Sequence, residues 1–178
     1  MVMVAAPKSD RQVSTDRARR PIKRVEYDRL IELGFFQGEK LELLRGELVK
    51  MSPVGTRHIA TVNRLGQRLM IALRDHVATT VQIQQPLSAA DESEPEPDVS
   101  VVAAFAESTK AMHARLVIEV ADSSLRDDLG AKAALYAESA VDEYWVVDLV
   151  EDRVHVHRDR ADGGWQSITM HRAGDTIA

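Results

Sequence analysis

Glu96-Pro97-Asp98-Val99-Ser100-Val101-Val102, then Leu116-Val117-Ile118-Glu119-Val120, then Asp128 to Lys132 form the stretch that decides the fold. Both apolar runs are crowded with β-branched residues and are too short for a stable helix, so they read as adjacent buried strands. Each carries one carboxylate, Asp98 at the mouth of the first and Glu119 inside the second. An unpaired charge within a run as apolar as Leu-Val-Ile-Glu-Val is costly, so Glu119 requires a compensating cation, a metal ion or a proton. Lys132 falls on the next predicted helix, close enough to bring positive charge to the same pocket. Two oxygen ligands and a lysine suit a hard divalent cation and a water that it activates.

Pro97-Asp98, the strand around Glu119 and Lys132 displaced onto the following helix resemble the PD-(D/E)XK nuclease superfamily. From Tyr27 to about Arg158 the chain looks like one branch of it, the bacterial Uma-type endonucleases. The matching pieces are Leu41-Glu42-Leu43-Leu44-Arg45-Gly46-Glu47-Leu48-Val49, Met51-Ser52-Pro53 followed by His58, Glu96-Pro97-Asp98-Val99, the Glu119 strand, and Tyr136-Ala137 through Val141 to Asp148. Each is weak alone; in this order they are specific. Position 121 is Ala121, where the basic pattern of the superfamily has a lysine, so the resemblance makes Lys132 the migrated lysine.

The resemblance implies a restriction-endonuclease-like α/β fold, a mixed central sheet flanked by helices with an N-terminal β-hairpin. It implies Asp98, Glu119 and Lys132 as catalytic residues, Asp98 and Glu119 as ligands of Mg²⁺ or Mn²⁺, and Glu42 as a further acidic candidate. These groups are expected to converge in one cleft, and the repulsion between its carboxylates is expected to raise at least one pKa. The implied reaction is metal-dependent hydrolysis of phosphodiester bonds in DNA. Two rivals stand beside it: a nuclease-fold binding or regulatory module that does not cleave, and a structural homo-oligomer, such as a homodimer, with its aromatic strand as interface.

A length of 178 residues suits one domain with a sizeable core. With no cysteine, disulfides and thiolate metal sites are excluded, which fits a reducing cytoplasm. No apolar run approaches a membrane span, and the first residues lack a signal-peptide core. The formal net charge is −5. Residues 1–22 hold five basic and two acidic residues, leaving 18 basic and 26 acidic in the remainder. So acidic a body weighs against nucleic-acid binding, although local patches can oppose the global sign. Residues 1–22 read as a disordered basic tail, and 23–178 as a single nuclease-like domain.

Along the chain, a helix is expected at about 24–33 with Gly34 as its stop. Arg45-Gly46 reads as a hairpin turn, in which Glu42 is either a site carboxylate or an exposed strand charge. Thr56 is expected to cap a helix over about 57–76, whose Arg57, Arg64 and Arg68 form a stripe. His58, on its first turn, is assigned no catalytic role. A strand is expected over 77–87, and the acidic loop 88–96 reads as solvated surface. The helix over about 127–139 sets Asp128, Lys132 and Tyr136 in line; the alternative role for Lys132 is a surface pair with Asp128. Tyr136 reads as packing and Trp145 as core or subunit interface. His155 and His157 share one face of an expected edge strand, ahead of a last strand, Trp165–Met170.

Overall fold

In the computed structural model, the described residues are 20–104 and 110–177. The expected basic tail lies outside them as far as residue 19, and so does the stretch 105–109 of the loop after Val102. The first elements among the described residues are helix α1 (Arg24–Glu32), the antiparallel hairpin β1 (Leu41–Leu44) and β2 (Glu47–Lys50), and helix α2 (Thr56–Ala72). A six-stranded sheet then runs in sequence order: β3 (Thr79–Ile83), β4 (Val99–Ala103), β5 (Ala114–Ala121), β6 (Tyr144–Asp148), β7 (Arg153–Ala161) and β8 (Gly164–Arg172). Neighbours are antiparallel except β5 and β6, which are parallel. Parallel neighbours need a crossover. Here it is α3 (Leu125–Asp127), a π-helical stretch Asp128–Lys132, and α4 (Ala133–Glu138). The fold is the expected mixed α/β sheet with helices on its faces and a hairpin before it.

The period of two along β5 divides the core. Val117 and Ala121 join Ala133, Tyr136, Tyr144 and Val146 beneath the crossover helix. Ile118 and Val120 join Val62, Val99 and Leu149 beneath α2. Each such buried aliphatic side chain contributes on the order of 1.5–3 kcal/mol. Glu119 shares the Val117 face, and this is why a carboxylate sits between the sheet and the crossover helix. On the other side α2 presses close to β3: a Cβ at Gly66 would lie 2.5 Å from Ile83 Cδ1.

Several expected boundaries and environments differ. Thr56 is the first residue of α2, after Gly55, and no side-chain cap bond is formed there. The helix stops at Ala72 because backbone bonds from His76 to Leu73 and from Thr79 to His76 turn the chain into β3. That strand stops at Ile83, where Gln84 takes φ +48°. The acidic loop is not solvated surface throughout: Glu94 is fully buried, its Oε1 2.5 Å from Lys110 Nζ. The aromatic strand β6 lies between β5 and β7 with Tyr144 buried in the core and Trp145 half-buried against Val62, Val99 and their neighbours. The strand with His155 and His157 is likewise interior, and β8 takes the edge. Burial lowers the His157 pKa, and its Nδ1 lies 3.2 Å from Tyr144 O.

The hairpin turn explains why Arg-Gly suffices. Arg45 and Gly46 both have positive φ, +50° and +79°. Loop 88–96 holds them from outside: Arg45 N–H donates to Ser93 Oγ at 2.9 Å and Gly46 N–H to Glu92 O at 2.7 Å. A Cβ at Gly46 would stand 2.2 Å from Pro21 Cβ. Gly46→Ala combines that clash with a left-handed backbone, so it is expected to destabilise the fold by more than about 2 kcal/mol, read from a denaturant midpoint.

Candidate active site

Asp98 immediately precedes β4, and Glu119 lies on β5, the neighbouring strand. The antiparallel register, Val99 opposite Ile118, carries Asp98 to the level of Glu119, and the N–H of the next residue, Val120, donates to Asp98 Oδ2 at 2.8 Å. Asp98 Oδ1 lies 3.0 Å from His58 Nε2 on the first turn of α2, with Gln84 Nε2 at 3.5 Å. The unusual backbone of Gln84 therefore has a local purpose, since its N–H also donates to the Asp98 carbonyl at 3.1 Å. Asp98 is buried and held from three elements.

Glu119 is 4% exposed. Lys132 Nζ and Tyr136 OH both donate to its Oε1, at 3.1 and 2.9 Å. That leaves the lone pairs of Oε2 for a ligand. Lys132 lies 3.2 Å from Glu42 Oε2 as well, so it bridges the strand and the hairpin. Glu42 is buried, and the exposed-charge alternative for it fails. The surface pair of Lys132 with Asp128 fails too: Asp128 is buried and accepts from Ser124 Oγ at 2.6 Å. The local reason is the π-helical stretch, whose wider turn is closed by Ala133 N–H donating back to Asp128 O, while Tyr144 OH donates to the same carbonyl at 2.9 Å. Such wide turns recur at functional sites.

Glu42, Asp98, Glu119, Lys132, His58 and Asp128 all line one cleft of about 840 Å³. Asp98, Glu119 and Lys132 thus line the same cleft, with Lys132 in contact with Glu119. Sequence reasoning passed over two contacts. His58 lies on the apolar side of α2 and carries only a weak hint, its place after Met51-Ser52-Pro53. Tyr136 was read as packing, and it does pack on Tyr144, with ring centroids 4.8 Å apart, yet its hydroxyl reaches Glu119.

Burial pushes the Glu119 carboxyl up to about 8; Lys132 opposes the rise, while Asp128, Asp98 and Glu42 add to it. The raised carboxyl was expected from repulsion, but burial is the larger cause. Burial likewise raises Asp128, against the Ser124 hydrogen bond and Lys132. Lys132 is lowered by burial, but Glu119, Glu42 and Asp128 more than reverse this, so it keeps its proton. A carboxyl that holds its proton more tightly when folded stabilises the fold fully below its unfolded value near 4.5, and that contribution is lost as pH rises toward about 8. Metal-free protein is therefore expected to lose stability across that window, and Glu119→Gln to lose less, measured as melting temperature against pH in chelator.

Among the described residues, no three His, Cys, Asp or Glu side chains are gathered as a ready-made metal chelate. The carboxylates that could hold a cation are those of Asp98 and Glu119, and Val120 lines the same cleft. Two carboxylates are the set on which Mg²⁺-like ions, which keep most of their waters, are commonly held. Lys132 faces three buried carboxyls, from Glu42, Glu119 and Asp128, and burial makes Glu119 hold its own proton more tightly.

The family model for Uma2, described as "Putative restriction endonuclease", matches residues 24–178. The fold is similar to the crystal structure of a putative nuclease belonging to DUF820 from Anabaena variabilis ATCC 29413. That likeness has a TM-score of 0.70 at 15% identity and covers 89% of this chain and 88% of that one. A DrdV–DNA complex solved by electron cryomicroscopy is similar at a TM-score of 0.40 and 18% identity, over 65% of this chain and 10% of that one, too slight a likeness to carry an argument. No curated protein matches the chain. Among the described residues, no helix is long and apolar enough to cross a membrane.

Proposed function

We propose, because the chain belongs to the Uma2 family, that residues 23–178 act as one nuclease-like domain whose cleft hydrolyses phosphodiester bonds of DNA with Mg²⁺ or Mn²⁺. The observation that carries this reading is the buried cluster in which Lys132 is shared between Glu42 and Glu119 while Asp98 stands pinned beside them. Asp98 and Glu119 would hold the cation, with the Val120 carbonyl as a further oxygen. When bound, it would polarise a phosphoryl oxygen and lower the pKa of a water in the site.

The remaining work belongs to the chain itself. The Val120 N–H and His58 keep Asp98 in one orientation, and Tyr136 does the same for Glu119. Lys132, kept protonated by its carboxylate neighbours, acts as a fixed charge and not as a base. Placed in a buried cleft, its ammonium offsets the negative charge that develops on the phosphoryl oxygens as water attacks phosphorus and the P–O ester bond breaks. Glu42 holds that ammonium toward the floor of the cleft.

The test is cleavage of supercoiled plasmid by purified protein with Mn²⁺, beside Glu119→Gln and a chelator control. Nicked or linear product from the wild type alone supports the reading. No product under Mg²⁺ or Mn²⁺, with DNA still bound, favours the non-cleaving binding module.

A further inference from the structure

Hydrolysis requires the attacking water to give up a proton, and Lys132, which keeps its own, cannot accept it. Asp98 and Glu119 are committed to the cation. Both oxygens of Asp98 are engaged besides, by His58 Nε2 and the Val120 N–H, and Oε1 of Glu119 accepts from Lys132 and Tyr136. Glu42 is held through Oε2 by Lys132 at 3.2 Å and by the Glu96 N–H at 3.4 Å. Asp128 is the buried carboxyl of the cleft that these roles leave unused.

Asp128 is 3% exposed and opens the π-helical stretch, its carbonyl held by the Ala133 N–H and by Tyr144 OH from β6. Ser124 Oγ donates to its Oδ2 at 2.6 Å. Among the described residues Oδ1 has no hydrogen-bond partner, yet the unpartnered side-chain atoms sealed inside the protein there are Arg24 Nε and Glu94 Oε2. Oδ1 therefore opens on the cleft. The charges acting on this carboxyl come from the walls of the site: Lys132 on the crossover lowers it, and Asp98 before β4 and Glu42 on β1 raise it. Of the carboxyls that act on Glu119 of β5, Asp128 has the largest effect. The other acidic residues of the cleft are placed differently. Glu39, Glu47, Asp122 and Asp127 are exposed. Glu96 is half-buried, but besides Glu42 its charged neighbours are Lys40, Glu94 and Lys110, the last paired with Asp28 of α1.

We infer that Asp128 is a catalytic residue, the base whose Oδ1 takes the proton of the attacking water. The inference rests on the reading of the cleft as a phosphodiesterase site. A water O–H bond breaks, its proton goes to Oδ1, and the freed electron pair forms the new P–O bond. The ester P–O bond breaks with its electron pair, the departing oxygen takes a proton from solvent, and Asp128 returns its own to solvent. One water is consumed and no further reactant is needed. Burial raises the Asp128 carboxyl, which makes it a stronger acceptor than a solvated aspartate, and the Ser124 hydrogen bond limits that rise. Ser124 is thus a positioning residue for the base.

The test compares wild type, Asp128→Asn and Ser124→Ala by plasmid cleavage against pH at saturating Mn²⁺, beside calorimetric titration of Mn²⁺. Saturating metal keeps the titration of Asp98 and Glu119 out of the profile. Asparagine keeps the size of the side chain and still accepts from Ser124, so Mn²⁺ affinity is expected to be retained while cleavage falls by about 10²-fold or more. A base works only when ionised, so the wild-type rate climbs as pH rises through the Asp128 pKa and then levels. That climb is expected to vanish in Asp128→Asn. In Ser124→Ala, which lacks the bond that holds Asp128 down, it moves to higher pH with the plateau kept. Wild-type cleavage by Asp128→Asn, or an unmoved climb in Ser124→Ala, overturns the base and leaves the hydrolytic reading standing. Loss of Mn²⁺ binding together with cleavage in Asp128→Asn makes Asp128 a ligand and overturns the base as well. A wild type that binds Mn²⁺ and cleaves nothing overturns both.

Discussion

Lys132→Met is expected to cut phosphodiester hydrolysis by about 10²-fold or more, the loss typical of one preorganised electrostatic group. Methionine keeps much of the aliphatic volume and removes the charge. The same change is expected to destabilise the metal-free protein by about 3–5 kcal/mol, because Glu42 and Glu119 lose the cation they share and remain buried. Two rescues follow from that cause. Lower pH protonates the stranded carboxylates, and Mn²⁺ neutralises them, so the stability deficit should shrink under either condition. Melting curves in chelator and in Mn²⁺, at two pH values, separate this from loss of packing. Wild-type cleavage with a stability change below about 1 kcal/mol would make Lys132 an ordinary helix charge.

Asp98→Ala is expected to weaken Mn²⁺ binding by more than about 100-fold, beyond the usual cost of losing a residue that merely supports a ligand. The substitution also strands the Val120 N–H and removes the partner of His58 Nε2, so a modest stability loss should accompany it. His58→Ala supplies the comparison, since it leaves the carboxylate in place and removes one of its supports; its expected cost is smaller, about 10-fold. Calorimetric titration distinguishes the two. An Asp98→Ala isotherm that matches wild type would remove Asp98 from the site.

What could be read in the chain before its structure follows from how local each signal is. Asp98 and Glu119 were legible because a carboxylate at or inside a β-branched run demands a partner, whatever the rest of the fold does. The family order then reached Lys132 across the crossover. Glu42 stayed undecided because alternation along β1 says which face it shares but not what covers that face. The covering comes from docking of the hairpin onto loop 88–96, through the Leu43–Glu94 bridge and the Gly46 contacts. His58 was missed for the same reason, since only the crossing of α2 over the sheet brings it to Asp98. The separation of Asp128 from Lys132 was invisible because helical spacing assumes an α-turn, and the π-helical stretch breaks that spacing. Glu94 was misread because an acidic loop looks solvated until Lys110, from a distant segment, is placed against it.

The most direct test of the central claim is a crystal structure of the wild-type protein grown with Mn²⁺, examined for anomalous scattering from the metal. The account predicts one strong peak in the cleft, touching an oxygen of Asp98 and an oxygen of Glu119, with Lys132 still within reach of Glu119. A peak that engages neither carboxylate, or an empty cleft in protein that cleaves DNA under the same conditions, would contradict it.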